Sequence, residues 1–162
     1  SRQRSKTAGS YVLNFTEPHL VIDHLGLEPA QLSGVAESSS QILSLEPSVQ
    51  AAWSQDAILQ GRLPRTPLAE QVSRSYYPGR SGDVFVVQRP FWVYSFNEQE
   101  GTSHGAPWTY DSQIPLMVVA PRVGPAISRR RYFPKDLVTS LSEMLRVCPP
   151  AGCFGQVMSE LR

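Results

Sequence analysis

Val84-Phe85-Val86-Val87-Gln88-Arg89-Pro90-Phe91-Trp92-Val93-Tyr94 contains two unbroken apolar tetrads, Val84 to Val87 and Phe91 to Tyr94. Each has strand length, and an apolar run without polar alternation predicts a strand covered on both faces. Helical patterns lie upstream and downstream of the pair. The chain is therefore read as a layered α/β fold, with a sheet between helices.

Upstream, Tyr11, Leu13 and Phe15 alternate with Val12 and Asn14, and Leu20-Val21-Ile22 follows Pro18, which predicts one interrupted strand or two short ones. Glu28-Pro29 opens a helix with proline at its favoured first position and apolar residues at Leu32, Val35, Ala36, Ile42 and Leu43; Pro47 closes it. Val49 to Trp53 is a short strand, Ser54 a helix cap and Gly61 the matching stop. Thr66-Pro67 starts a helix through Leu68, Val72 and Tyr76, which the turn Tyr77-Pro78-Gly79-Arg80-Ser81-Gly82 ends. Downstream, Leu116 to Ala120 reads as another buried strand. Pro134 starts a last helix whose Leu137, Leu141, Met144 and Leu145 form a core-packing stripe. Internal repeats and domain linkers are not evident.

With 162 residues, 41% hydrophobic, 18% charged and a net charge of +1, the chain has the balance of one substantial globular domain. So even a charge gives no electrostatic footprint for a nucleic acid polymer or an anionic membrane. Arg129-Arg130-Arg131 is the only basic run and reads as a solvated loop ahead of an anion site. No window approaches the roughly 18 apolar residues of a membrane span. The start, Ser1 to Lys6, is basic without the apolar stretch of a signal peptide. Cys148 and Cys153 bracket Pro149-Pro150-Ala151-Gly152 at a spacing that suits either a small disulfide loop or two unrelated thiols. A zinc knuckle would need two further soft ligands close by.

Gly101-Thr102-Ser103-His104-Gly105-Ala106-Pro107-Trp108-Thr109-Tyr110-Asp111 sets a lone histidine among small residues. The imidazole is open to a metal ion or a second backbone segment, a ligand's setting more than a core residue's. Its first five residues also spell G-x-S-x-G, the nucleophile elbow of serine hydrolases, but that serine must sit between a strand and a helix. Here the polar run Asn97-Glu98-Gln99-Glu100 precedes it and no histidine follows to act as base, since the others are His19 and His24. The serine-hydrolase reading is set aside.

The histidine segment closely resembles the carboxy-terminal histidine motif of the alkaline phosphatase superfamily, the di-zinc phosphomonoesterases and phosphodiesterases that include nucleotide pyrophosphatases. Arg74-Ser75-Tyr76-Tyr77-Pro78-Gly79-Arg80-Ser81-Gly82-Asp83-Val84 is similar to the segment that precedes this motif in the phosphate-irrepressible bacterial type. Val87-Gln88-Arg89-Pro90-Phe91-Trp92 looks like that type's strand end, and Asp136 to Leu141 with Pro149 to Gly152 resemble its closing helix and loop. Val138 stands where the helix usually has proline, and Gln113 where many members have histidine.

The resemblance implies part of an alkaline-phosphatase-like layered α/β fold with a small α+β cap segment. Residues about 10–94 would be the cap-like segment with adjoining strands, and about 95–162 the core segment. It makes His104 a metal ligand and zinc the cofactor, two ions per complete enzyme. In the family the nucleophile and the aspartate and Asp-x-x-x-His ligand motifs lie upstream, and this chain contains none of them. The chain is then expected to be a carboxy-terminal fragment of a phosphomonoesterase or phosphodiesterase, inactive alone, acting on a phosphate ester only in the complete enzyme. Its other expected partners are the missing amino-terminal half or further copies of itself, and its expected location is periplasmic or extracellular. Val84 to Val87 and Leu116 to Ala120 would then lack half their neighbours and leave apolar surface exposed. Asp111 is read as an orienting partner for the imidazole and, with Tyr110, as a brace of the loop. His19 and His24 read as structural or solvent-facing. The alternative is a non-catalytic interaction or regulatory module derived from the same fold.

Overall fold

The computed structural model describes residues 11–95, 99, 101, 104–121 and 123–161. It divides into two compact units, Ser1–Ile114 and Pro115–Arg162.

The first unit is built on a four-stranded antiparallel sheet in the order β1-β2-β4-β3. Strands β1 (Val12–Thr16) and β2 (His19–Ile22) are the two short strands expected around Pro18, paired as a hairpin with Phe15 opposite Leu20. Helix α1 (Pro29–Leu43) connects them to β3 (Val49–Ser54), and α2 (Gln55–Leu59) and α3 (Pro67–Ser75) lead on to the central strand β4 (Val84–Gln88). The local signals act as chemistry dictates. Ser54 Oγ accepts from the Ala57 N–H and Thr66 Oγ1 from the Ala69 N–H, each at 3.3 Å, filling donors that a helix start leaves open. Gly61 takes the left-handed backbone, φ 66°, that ends α2.

Every residue of β4 is buried. Val84 and Val86 join Leu20, Ile22, Val49 and Ala52 against Ala36 of α1. Phe85 and Val87 point the other way, onto Ile58, Val72 and Tyr76 with Trp53 and Trp108 at the edge. A run without alternation is thus explained by helices on both faces, even though the sheet is antiparallel. The neighbours of β4 are all supplied by the first unit itself, which corrects the expectation that half would be lacking. Gly82 is required just before β4, because a Cβ there would lie 2.6 Å from the Leu20 carbonyl oxygen.

Phe91 to Tyr94 is not a strand. Pro90 has no N–H to continue the ladder, and Phe91 turns away with φ 67°, 85% exposed. Tyr94 returns to pack edge-on against Phe15, with ring centroids 5.0 Å apart.

In the second unit, Leu116 to Ala120 pairs with no strand among the described residues, and Val119 is fully exposed. The expected buried strand is absent there because no sheet edge receives it. Helix α5 (Pro134–Leu145; α4 is the short turn Thr109–Ser112 of the first unit) begins at Pro134 as predicted. Its buried face, however, is Asp136, Ser140 and Ser142, while Leu141 and Leu145 are exposed. The reason is a polar ladder to the returning chain. Ser140 Oγ donates to the Asp136 carbonyl and accepts from the Met158 N–H, and Asp136 accepts from the N–H groups of Phe133 and Gln156. These two N–H bonds, Gln156's first, hold the Asp136 carboxyl below its usual range. Cys148 and Cys153 are both free thiols. Among the described residues no helix is long and apolar enough to cross a membrane.

Candidate functional site

The first unit fixes the loop that holds His104 from three sides. Gly105, at φ 95°, lets the chain turn immediately after the histidine. Asp111 then reaches back across α4, its Oδ2 accepting from the Ala106 N–H at 2.6 Å. Trp108 donates its indole N–H to the Gln88 carbonyl at 3.1 Å, tying the loop to the end of the buried strand β4. His104 itself is exposed. Thr102 and Ser103, and with them the rejected nucleophile elbow, lie outside the described residues.

Gln88 has a second role. Its side-chain amide donates to Glu17 Oε1 at 2.8 Å, so one buried residue anchors the histidine loop through its backbone and a carboxylate through its side chain. Partial burial pushes the Glu17 carboxyl up; the Gln88 bond and the attraction of His104 oppose that rise. Glu17 is thus an electrostatic neighbour of His104. The sequence reading missed Glu17 and Gln88, which lie 71 residues apart and share no local pattern. Asp111 is placed as the loop's brace, whereas Tyr110 serves the other turn: its hydroxyl accepts from the Phe91 N–H at 3.0 Å and its ring stacks on Phe91 at 4.9 Å.

The other histidines are separate. His19 lies on β2 with its ring edge-on to Phe85 at 5.0 Å, and its buried Nδ1 has no hydrogen-bond partner. Burial lowers its pKa, which keeps it a neutral packing group. His24 Nε2 lies 2.9 Å from Oδ1 of the buried Asp83, whose Oδ2 accepts from the Ile22 N–H. That pair ties the loop after β2 to the residue before β4.

Among the described residues no three histidine, cysteine, aspartate or glutamate side chains gather where they could hold a metal ion. One histidine with one nearby carboxylate does not close a tetrahedral zinc site. The described residues alone therefore do not fit a zinc ion, and what they build is a braced, outward-facing imidazole.

No family model matches the sequence. The chain is, however, similar to bacterial alkaline phosphatases in both sequence and fold. It is 28% identical over 131 residues to alkaline phosphatase PafA of Elizabethkingia meningoseptica, covering 81% of this chain and 24% of that protein. Alkaline phosphatase PhoV of Synechococcus elongatus is 29% identical over 94 residues, 58% of this chain and 17% of its own length. The crystal structure of wild-type PafA superposes with a TM-score of 0.75 at 24% identity, over 93% of this chain and 29% of that one. The chain thus spans at most about a quarter of the length of the curated relatives it matches, and is similar to only that part of each.

Proposed function

We propose that this chain forms the histidine-bearing part of a metal-dependent phosphate-ester hydrolase, with His104 as one ligand of a zinc ion whose remaining ligands lie outside the described residues. The observation that supports this is the similarity to PafA over 131 residues. The geometry agrees with it. A metal ligand needs a donor free to reach the ion and a held backbone, and the Asp111 and Trp108 bonds hold the loop that carries the exposed His104. A bound zinc ion would supply Lewis acidity for phosphoryl transfer. Phosphate monoesters stand ahead of diesters as substrates because the relatives PafA and PhoV bear the name alkaline phosphatase. By the same likeness, residues about 10–94 act as the cap-like segment and about 95–162 as the core segment, and the protein works in the periplasm or outside the cell.

The test is direct. Supplied with zinc, the full chain should hydrolyse p-nitrophenyl phosphate no faster than background, and calorimetry should show no tight stoichiometric zinc uptake. Chelator-sensitive turnover by the chain alone, abolished in His104→Ala, would overturn the shared-ligand reading by showing a complete site within these residues.

A further inference from the structure

The two cysteines of the second unit take no part in the proposed reaction, and the chain around them reverses twice in a way that brings them toward each other. At the end of α5, Arg146 takes the left-handed backbone with φ 55°, and the Val147 N–H donates back to the Ser142 carbonyl at 3.0 Å. Cys148 follows at once and is exposed. Pro149 and Pro150 then restrict the backbone. The second reversal comes directly after them: the Cys153 N–H donates to the Pro150 carbonyl at 3.1 Å around Gly152, whose φ of 83° suits the glycine position of a type II turn. This turn sets Cys153 beside Pro150, two residues from Cys148. A disulfide needs Cα atoms within about 7 Å of each other, and a tight turn between the two residues favours that approach.

Cys153 is also held in place. It is half-buried, with Sγ 3.2 Å from the Thr139 hydroxyl on α5 and 3.6 Å from the Lys135 carbonyl oxygen. Gly155 presses the following residues onto the first turn of α5, where a Cβ would meet that same carbonyl oxygen at 2.1 Å. The Thr139 hydroxyl first, and then the Gly155 N–H, hold the Cys153 thiol below its usual range; the Lys135 ammonium adds to this, while desolvation and the Asp136 carboxylate oppose it. A thiol that ionises readily beside an exposed second thiol is the arrangement of a redox pair. The unit is also one that a crosslink would serve. Among its described residues Met158 is the sole buried apolar side chain, and small units without an apolar core are commonly stapled by disulfides.

We propose that Cys148 and Cys153 are a reversible dithiol/disulfide pair, with Cys153 as the attacking sulfur, Cys148 as the resolving one, and a small disulfide such as oxidised glutathione as the oxidant. The Cys153 thiolate attacks one glutathione sulfur, forming a mixed disulfide and expelling one glutathione thiolate. Cys148, its proton lost to solvent, attacks the Cys153 sulfur and expels the second. Two protein thiols are oxidised, and one glutathione disulfide is reduced to two thiols. This assignment does not depend on the proposed hydrolase role.

Intact mass and peptide mapping of the full chain incubated with oxidised glutathione test it. The parent should lose two hydrogens and retain no glutathione, the bond should map between Cys148 and Cys153, and dithiothreitol should restore both thiols. Cys148→Ser should keep one glutathione on Cys153. Cys153→Ser should take one up on Cys148 at least about threefold more slowly, because that position lacks the Thr139 donor. Thr139→Val in the Cys148→Ser background, shown to be folded by circular dichroism, should slow glutathione uptake by a similar factor, which a merely structural threonine would not do. Glutathione retained on both cysteines of the parent, no reaction with millimolar oxidant, or equal uptake rates at the two cysteines would overturn the proposal.

Discussion

In the first unit the buried side chains are chiefly apolar, with Ile22, Val84 and Val86 at 2% exposure or less, and they lie between α1 on one face and α2 and α3 on the other. In the second, the buried residues among those described are Asp136, Ser140, Ser142 and Met158, while Leu145, Phe154 and Val119 face outward. Both units contain a helix opened by proline with apolar residues at helical spacing. Helix α1, like α3, has a sheet to lie on. Helix α5 has instead a returning segment that presents backbone N–H groups, and its serines and aspartate answer them. The α1 stripe packs Ala36, Leu32, Val35 and Leu43 against the sheet and leaves Ile42 exposed, whereas the α5 stripe half-buries Leu137 and Met144 and leaves Leu141 and Leu145 exposed.

The largest expected effect breaks this contrast at its centre. Ile22→Ala should cost about 2–5 kcal/mol through lost burial and a residual cavity, whereas Leu145→Ala should fall within about 0.5 kcal/mol. Denaturant titration of each variant checks the pair. Trp53, Trp92 and Trp108 all lie in the first unit, so tryptophan fluorescence reports the Ile22 variant and far-UV circular dichroism the Leu145 variant. Equal losses would remove the distinction between an apolar core and a polar ladder.

A smaller effect belongs to the ladder. Ser140→Ala leaves the buried Met158 N–H without its acceptor, which costs about 1–3 kcal/mol. Amide exchange at Met158 should then quicken by about tenfold or more. Unchanged exchange would show that the bond does not hold this segment.

The smallest effect is a pH dependence. Because burial holds the folded-state pKa of His19 below 6.5, its contribution to stability is complete above that value and is lost as pH falls towards the folded pKa. Glu17 works in the opposite sense: its folded-state pKa is raised above 4.5, so its contribution is complete below 4.5 and lost as pH rises through the raised value. The comparison must therefore be between parent and His19→Phe. Between pH 6.5 and 5 the parent should lose stability relative to the variant, read from denaturation midpoints. A constant difference across that window would show that His19 titrates normally in the fold.

Much of the first unit was legible from short-range chemistry. Pro29 and Pro67 mark helix starts, Ser54 and Thr66 supply the caps, and the apolar tetrad at Val84 becomes the buried central strand. Phe91 to Tyr94 and Leu116 to Ala120 were misread because apolar composition alone does not say whether a sheet edge is there to pair with. The stripe on α5 was misread for a related reason, since Asp136 and Ser140 find their partners about twenty residues further along. At the candidate site, His104 stood out through its small neighbours. The Glu17 and Gln88 pairing did not, because a strand and a hairpin turn distant in sequence meet only once the sheet has formed.

The central claim, that this chain supplies the histidine-bearing part of a phosphate-ester hydrolase, is tested most directly by grafting. The chain replaces the corresponding quarter of the Elizabethkingia meningoseptica PafA alkaline phosphatase, and folded chimeras, verified by circular dichroism, are assayed on p-nitrophenyl phosphate with and without His104→Ala. The account predicts chelator-sensitive hydrolysis by the chimera, with most of it lost in the His104 variant. A folded chimera whose hydrolysis is indifferent to His104→Ala, or which has none at all, would contradict it.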